Sequence, residues 1–461
     1  MVEQHIYTQV NSYQVLQRDF STDSALVKQA NGIIQSFPVG GPYQINNASN
    51  VLVGDIWVLA GQSNMRGNAF YVDPWTDPPN KKTYPDYVND MIHLFQLNET
   101  WNKGTEPTHR LDQSIRQVNY DISDPSVSAK SYHNYRGVSS GMAFATAYRE
   151  RNGDVPVGLL PSAHGGTTMD QWSPDLLETT KNPYNTTLYG AMLGRIDKAT
   201  AGSRKIAGIL WYQGESDAAD TSLASQYKGN LGSWINTTRS KLNNERLPFV
   251  YVQIARLARV QNDQYEGWNQ VRNAQRLLND NDNSDKERIG AVASIDLEMD
   301  DYIHLSAKGL TTVGQRMAIT ATNALKNKAS MSSPTFDSVK FEEKLAARNG
   351  NNEIDTSSKY ATQVTLLVKF KNVNEWKFRD DGVFGFTLHD SSGNLLQVLY
   401  KSEIQQDKKT IRLFLTYDAQ NLDTNNLFLY YGYGMNPVCN METTEGMGLL
   451  AFGPIPVQLN Y

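Results

Sequence analysis

Four short polar segments carry the residue types that hydrolytic chemistry uses. They are Gly61-Gln62-Ser63-Asn64-Met65, Ala163-His164-Gly165-Gly166-Thr167, Trp211-Tyr212-Gln213-Gly214-Glu215-Ser216-Asp217 and Asp301-Tyr302-Ile303-His304. Attack on an acyl carbon needs a hydroxyl, an imidazole, a carboxylate and N–H donors for the developing oxyanion, and these segments contain all of them. The segments therefore predict a hydrolytic site if the fold brings them together.

Ser63 is the candidate nucleophile. It lies in a turn directly after the apolar run 56–60, so a hydroxyl and a backbone N–H are presented together. The segment is not the G-x-S-x-G turn of α/β-hydrolases, because Met65 occupies the last position. Taken alone, the pentapeptide also fits an ordinary polar turn.

His304 is the candidate general base, and Asp301 is the candidate acid that orients it. A spacing of three residues on a tight loop can bring the carboxylate to one imidazole nitrogen, which leaves the other nitrogen facing outward. The ordinary pKa of His, about 6.5, suits proton transfer at neutral pH. Ser306 is the candidate N-cap of the helix that follows.

Three groups are candidate donors to the oxyanion. They are the N–H of Ser63, the N–H of either Gly165 or Gly166, and the amide of Gln213. Each segment is weak evidence by itself, but the four together, each at the end of a different predicted strand, favour a serine hydrolase.

The elements that must position these groups are predicted from apolar runs. Such runs suit parallel strands buried on both faces, and helical patterns alternate with them over about 51–328. The predicted strands are 56–60, 157–160, 206–211, 249–254 and 289–293, and the predicted helices include 142–148, 271–278 and 306–325. Alternating strands and helices predict an α/β domain, whose ligands bind at the carboxyl ends of the strands.

Three regions are expected along the chain. Residues 1–50 form a short N-terminal β lead-in, residues 51–330 form the catalytic domain, and residues 335–461 form a β-rich, sandwich-like C-terminal module. Residues 329–334 have the composition of a linker.

Composition excludes several function classes. The net charge is −5 and no basic run is present, which argues against a nucleic-acid partner. No apolar stretch is long enough to span a bilayer, and no signal peptide is visible. The single cysteine, Cys439, excludes an internal disulfide and a cysteine-rich zinc site. No Walker-type loop supports phosphoryl transfer.

The four segments resemble the motif blocks of the SGNH hydrolase superfamily, and in particular the sialate O-acetylesterase and acetylxylan esterase group. Flanking stretches agree with this resemblance along nearly the whole chain. They are Val15–Asp19, Gly40–Tyr43 and Val53–Trp57 before the nucleophile, and Tyr431–Asn440 and Ala451–Pro454 near the C-terminus.

The resemblance implies a flavodoxin-like, three-layer α/β/α parallel sheet. It also implies a serine esterase that removes O-acetyl groups from carbohydrates, such as sialic acid or an acetylated polysaccharide, through an acetyl-serine intermediate and without a metal or other cofactor. In related esterases the residue at the position of Glu215 is an alternative triad acid. The three-residue spacing between Asp301 and His304 favours Asp301 for this role. The superfamily more often has Asn at the position of Gln213. Residues expected to contact the substrate are Gln62, Asn64, His164 and Trp211.

Two other functions stay open at this point. One is a general short-chain acyl esterase or lipase of the same fold, and the other is a catalytically silent carbohydrate-binding protein. The polar, tryptophan-containing segments favour a small acyl group on a sugar, and the presence of Ser63 with Asp301 and His304 favours catalysis. The resemblance suggests a location outside the cytoplasm, and the oligomeric state is left open.

Overall fold

A mostly parallel sheet forms the centre of the protein. The computed structural model describes residues 4–73, 87, 89–260, 265–279, 288–326, 333–346, 351, 353, 362–378, 382–416, 419 and 426–457. The strands are β1 (Ile6–Tyr7), β2 (Val15–Gln17), β3 (Ser24–Lys28), β4 (Ile34–Pro38), β5 (Gly40–Ile45), β6 (Ala48–Gly61), β7 (Ala69–Phe70), β8 (Ile92–Phe95), β9 (Trp101–Lys103), β10 (Arg136–Val138), β11 (Val157–Pro161), β12 (Gly208–Tyr212), β13 (Phe249–Val252), β14 (Ile289–Val292), β15 (Thr335–Ala346), β16 (Thr362–Lys371), β17 (Phe386–His389), β18 (Leu395–Leu396), β19 (Leu399–Ile404), β20 (Ile411–Leu415), β21 (Phe428–Tyr431) and β22 (Phe452–Pro456).

The central sheet has the order β14-β13-β12-β6-β11-β8-β9. Its neighbours pair in parallel from β14 to β8, and β9 pairs antiparallel with β8. Strands β11, β12, β13 and β14 are buried at every residue, as expected for strands covered on both faces. The predicted parallel α/β sheet is confirmed.

Helices cover both faces of this sheet. They are α1 (Ser63–Arg66), α2 (Val118–Asp121), α3 (Pro125–Ser128), α4 (Gly141–Arg151), α5 (Leu176–Thr179), α6 (Pro183–Thr186), α7 (Leu188–Ala199), α8 (Glu215–Ala218), α9 (Thr221–Lys241), α10 (Tyr265–Asn279) and α11 (Ala307–Leu325), with 3₁₀ turns at Leu111–Gln113 and Tyr132–Asn134. Trp57 of β6 packs on Phe144 of α4, and α4 packs on α11. Trp211 of β12 packs on Trp234 of α9 on the opposite face, and α9 packs on α10. The result is a three-layer α/β/α arrangement.

The N-terminal lead-in continues the central strand. Strands β2 and β5 pair with the first half of β6, while β1, β3 and β4 form a separate small sheet. The boundary predicted between residues 50 and 51 therefore falls inside β6, and the lead-in and the catalytic domain share this strand. The physical reason is that β6 is longer than the apolar run that marked it.

The C-terminal module consists of two antiparallel sheets. Their orders are β15-β16-β20-β19 and β18-β17-β21-β22. Apolar side chains from both sheets, such as Leu366, Leu388, Leu413 and Leu429, lie in one buried cluster, as in a sandwich. The sequence runs did not reveal β8, β9, β15 or β22, and the run at 396–400 is divided between β18 and β19.

The linker predicted at 329–334 lies largely outside the described residues, with only Ser333 and Pro334 inside them. Among the helices that the structure describes, none combines the length and the apolar character that crossing a bilayer requires.

Arg272 of α10 holds the C-terminal module against the catalytic domain. Its guanidinium is buried and donates to the backbone carbonyl oxygens of Gly432, Gly434 and Met435 in the module, and of Ala255 after β13. Burial lowers the pKa of Arg272 to about 10, so the group remains charged at neutral pH. Charged donors make the stronger class of hydrogen bond.

Replacing Arg272 should therefore destabilise the folded protein. We expect Arg272→Met to lower the free energy of unfolding by about 3 kcal/mol, because several buried carbonyl groups lose their donor. Chemical denaturation followed by tryptophan fluorescence measures this loss. The exposed Lys308 gives the control, since Lys308→Met should change stability by less than about 0.5 kcal/mol. Equal stability of both variants would contradict the role of Arg272.

Candidate active site

The four polar segments meet at the carboxyl end of the central sheet. Ser63 begins α1 directly after β6, the glycine-rich loop follows β11, and the Gln213 loop follows β12. His304 lies between β14 and α11, whose N-cap is Ser306, as predicted. Gly61 permits the close approach of β6 and β12, because a Cβ built there would lie 2.1 Å from the Tyr212 carbonyl oxygen. Its φ of +129° also favours glycine.

Ser63, His304 and Asp301 form a continuous hydrogen-bonded series. The Ser63 Oγ lies 3.0 Å from His304 Nε2. On the other side of the ring, His304 Nδ1 lies 2.9 Å from Asp301 Oδ2 and 3.0 Å from Asp301 Oδ1. The backbone N–H groups of Ile303 and His304 also donate to Asp301, so the carboxylate is held by its own loop. This is the geometry of a nucleophile, a base and an orienting acid.

The electrostatics of this series keep Asp301 charged and His304 neutral at rest. Burial acts to raise the pKa of Asp301, but hydrogen bonds and charge from His304 outweigh it and the pKa lies well below the usual range. Burial lowers the pKa of His304, the positive charges of Arg66 and Arg136 lower it further, and Asp301 opposes them. A neutral His304 is the form that accepts a proton.

Glu215 contacts Asn64 instead of His304. The Asn64 amide donates to Glu215 Oε1 at 2.7 Å and to the Ile303 carbonyl at 3.3 Å, and its oxygen accepts from the Leu305 N–H. Asn64 thus links the nucleophile helix to both sides of His304. Burial is the main cause that raises the pKa of Glu215 to about 7, with Asp217 contributing.

Two of the predicted oxyanion donors are backbone N–H groups for which the described residues show no acceptor. Ser63 is the first residue of α1, where an N–H has no partner within the helix. Gly165 N–H donates to Asp124, whereas Gly166 N–H donates to no acceptor among the described residues. Gly166 is also exposed, with a φ of +67°. Of the two glycines, the geometry leaves Gly166 as the available donor.

The amide of Gln213, one of the predicted oxyanion donors, makes its hydrogen bonds within the protein in this structure. Its amide nitrogen donates to the Thr167 carbonyl at 2.8 Å and to Asp217 Oδ2 at 2.5 Å. The two N–H bonds of the amide are therefore both occupied within the protein. Asp217 also accepts from Met169 N–H, so Gln213 and Asp217 join the loops that follow β11 and β12.

The four residues predicted to contact substrate have buried side chains in this structure. Asn64, His164 and Trp211 have no exposed surface, and Gln62 is 2% exposed. Gln62 accepts N–H groups from the loop after β12. The His164 ring nitrogens lie 3.0 and 3.4 Å from backbone carbonyl oxygens. Trp211 packs on Trp234 in the core, with 4.7 Å between the ring centroids. In the structure, these side chains contact protein groups around the site.

Sequence reasoning missed a buried ion pair under the site. Arg66, one turn after Ser63, lies 3.3 Å from Asp124, the same carboxylate that accepts Gly165 N–H. Arg66 also donates to the Tyr132 hydroxyl. These partners lie far apart in the chain, so no local spacing indicated them.

A second missed residue is Arg136, which donates to Asp301 Oδ2 at 2.8 Å and lies over the Phe70 ring at 4.0 Å. Beside it, Tyr302 and Tyr135 are about half exposed. Aromatic rings at this edge offer apolar faces suited to sugars. Among the described residues, no group of three or more acidic, His or Cys side chains has the arrangement of a metal site.

Comparison with known proteins identifies the family of this chain. A family model described as carbohydrate esterase, sialic acid-specific acetylesterase, matches residues 53–323. The chain belongs to this family. The match begins within β6 and ends within α11, and therefore covers Ser63, His304 and Asp301. Membership of a carbohydrate esterase family supports esterase activity on carbohydrates.

Two relatives extend the comparison. The chain is similar to a probable carbohydrate esterase of Arabidopsis thaliana, with 30% identity over 209 residues, which is 43% of this chain and 68% of that protein. It is also similar to the crystal structure of a carbohydrate acetylesterase from Xanthomonas citri, with a TM-score of 0.63 and 19% identity. That similarity covers 97% of this chain and 98% of the other, and it shows a shared fold that includes the C-terminal module.

Paired substitutions in this carbohydrate esterase distinguish the two candidate acids. We expect Asp301→Asn to lower kcat by about 1,000- to 10,000-fold, because His304 loses the acceptor that orients it. Glu215→Gln should lower kcat by less than about tenfold, since a neutral amide oxygen can still accept from Asn64. Steady-state hydrolysis of p-nitrophenyl acetate measures both. The reverse order of losses would make Glu215 the triad acid.

The pH profile should report the lowered pKa of His304. We expect kcat/KM to fall as pH falls through a midpoint below 6.5, because protonated His304 cannot accept the Ser63 proton. Arg136→Met should move this midpoint upward by about half a pH unit, since a nearby positive charge is removed. Arg204→Met, at an exposed ion pair with Asp197, is the control and should leave it unchanged. An unshifted midpoint in Arg136→Met would contradict the account.

Proposed function

We propose that this carbohydrate esterase removes O-acetyl groups from sugars through an acetyl-serine intermediate. The observation that carries the proposal is the hydrogen-bonded series from Ser63 Oγ through His304 to Asp301. The series lies at the carboxyl end of the sheet, and the N–H groups of Ser63 and Gly166 donate to no acceptor among the described residues.

In the first step, His304 Nε2 takes the Ser63 proton while Oγ attacks the acetyl carbonyl carbon. The negative charge on the carbonyl oxygen is stabilised by the N–H groups of Ser63 and Gly166. His304 then gives its proton to the sugar oxygen as the bond between that oxygen and the acetyl carbon breaks. The sugar leaves with a free hydroxyl, and Ser63 carries the acetyl group.

In the second step, water attacks the acetyl-serine. His304 takes a proton from the water, and the same backbone N–H groups stabilise the second tetrahedral oxyanion. As the intermediate collapses, the proton returns to Ser63 Oγ, and acetic acid leaves and loses its remaining proton to solvent as acetate. Asp301 stays ionised throughout and stabilises the positive charge on His304.

The buried polar residues act in this proposal as positioning residues. Asn64 fixes the nucleophile helix relative to the His304 loop, with Glu215 behind it. Arg136 holds Asp301 from the outside. In the proposed organisation, residues 51–330 carry the reaction, residues 1–50 extend the central strand, and residues 335–461 form a second module with its own apolar core.

Acetate release from two substrates tests the proposal. O-acetylated sialic acid and acetylated xylan represent the two sugar classes that the proposal leaves open. We expect release from at least one, and a loss of about 1,000-fold or more in Ser63→Ala. Ser225→Ala, at an exposed position of α9, should keep activity within about twofold.

Two outcomes would overturn the proposal. Equal acetate release by Ser63→Ala and the unmodified protein would remove Ser63 from the mechanism. Hydrolysis restricted to long-chain esters would favour the lipase alternative instead.

A further inference from the structure

A cleft of about 430 Å³ lies between the first turns of α10 and the C-terminal module. It is lined by the first turns of α10, by the turn that follows β17, and by residues of β21 and β22. None of the residues of the candidate active site lines it. Its volume lies within the range of about 300–1,000 Å³ that small-molecule sites occupy.

One wall of the cleft is a cluster of tyrosine rings. The Tyr433 ring lies 4.8 Å from Tyr430, 5.8 Å from Tyr265 and 3.9 Å from the buried His389, measured between centroids. Each tyrosine is only partly buried, so it keeps ring surface on the cleft. Rings supported from behind in this way form a rigid apolar face with polar tips, which matches the mixed surface of a pyranose.

The helix α10, which carries Tyr265, also contributes amide side chains to the cleft. Asn269, Gln270 and Asn273 all line the cleft. The side-chain oxygen of Gln270 is buried and accepts no hydrogen bond from the described residues, although its nitrogen lies 3.4 Å from Glu266. A buried acceptor without a donor is costly, and rotation of the Gln270 amide toward the cleft would let a ligand hydroxyl donate to it.

The charge of the lining selects among sugars. Among the described residues that line the cleft, Glu266 and Asp390 are the carboxylic acids and none is Lys or Arg. Hydrogen bonds from Asn394 and Ser392 keep the pKa of Asp390 below its usual range, so this group is charged at neutral pH. Carboxylates accept hydroxyl hydrogens but repel anionic sugars.

The cleft is connected to the catalytic loop by backbone contacts. Tyr433 lies between Gly432 and Gly434, whose carbonyl groups accept from Arg272. Two residues further on, the Met435 carbonyl accepts from Leu257 N–H, and the adjacent Ala258 N–H donates to the Tyr302 carbonyl in the His304 loop. A continuous series of backbone hydrogen bonds thus connects the segment that carries Tyr433 to the loop that carries His304.

We infer that this cleft is a second carbohydrate-binding site that holds a neutral, pyranose-based segment of a glycan. Tyr433 and Tyr430 stack on the sugar, and Gln270 accepts one of its hydroxyl groups. The site binds glycan and catalyses no reaction. It therefore helps to retain an extended polysaccharide on the protein while acetyl groups react at Ser63. The inference goes beyond the proposed function and does not depend on the role of Ser63.

Isothermal titration calorimetry with the full chain tests this inference. The probes are xylohexaose, cellohexaose and mannohexaose, which are neutral and carry no acetyl group, and a sialylated trisaccharide as the anionic comparison. We expect at least one neutral probe to bind, and Tyr433→Ala to weaken its affinity by about tenfold. Tyr433→Phe should stay within about twofold, because it keeps the ring.

Two further variants control for folding and position. Gln270→Leu leaves the tyrosine wall intact and should weaken binding by about fivefold. Tyr400→Ala removes a half-exposed tyrosine of the same module outside the cleft and should leave binding unchanged. All four variants should hydrolyse p-nitrophenyl acetate within about twofold of the unmodified protein, since this small ester needs no glycan contact.

Three results would overturn the inference. They are the absence of binding by all three neutral probes at about 5 mM, binding that neither Tyr433→Ala nor Gln270→Leu changes, and stronger binding of the sialylated probe than of any neutral one. Failure to hydrolyse p-nitrophenyl acetate would instead count against the proposed esterase reaction and would leave the binding result standing.

Discussion

The parallel pairing of β6 with both β11 and β12 is the constraint on which the site depends. It aligns the carboxyl ends of three strands, so that Ser63, the glycine-rich loop and the loop after β12 begin at one edge. At that edge the backbones lie too close for a side chain at Gly61. Because the strands are buried on both faces, a slip in their register would expose apolar surface and displace every functional group at once.

Polar side chains then turn this common edge into a defined geometry. Asn64 joins three backbone or side-chain groups, and Gln213 with Asp217 joins two loops, each through buried hydrogen bonds. Buried networks of this kind stabilise the fold when nearly every polar group in them has a hydrogen-bond partner. An unpaired buried polar group instead lowers the stability. The raised pKa of Glu215, about 7, is a direct result of this burial. Asp301 differs because its partners are His304 and backbone N–H groups, so it remains ionised.

The sequence predicted those features that depend on local pattern. Continuous apolar runs identified the strands of the sheet, and the family resemblance was confirmed. The spacing between Asp301 and His304 was informative because a three-residue loop limits how far the two groups can separate. The roles of these residues nevertheless remain predictions until activity is measured.

Features that depend on long-range packing were not predictable in this way. Whether Gln213 faces the substrate or Thr167 is decided by a loop from another strand. The burial of Asn64, His164 and Trp211 depends on loop paths that periodicity does not specify. Arg66 and Arg136 pair with carboxylates that are distant in the chain. The strands β15 and β22 were not predicted from the apolar runs of the sequence.

The measurement that tests the central claim most directly is covalent labelling with diisopropyl fluorophosphate, followed by peptide mapping and by an assay of residual acetate release. The account predicts that activity is lost in proportion to the label found on Ser63, because the reagent reacts with a serine activated by a neighbouring base. Loss of activity with the label on another residue would contradict the account, as would full activity with Ser63 completely labelled.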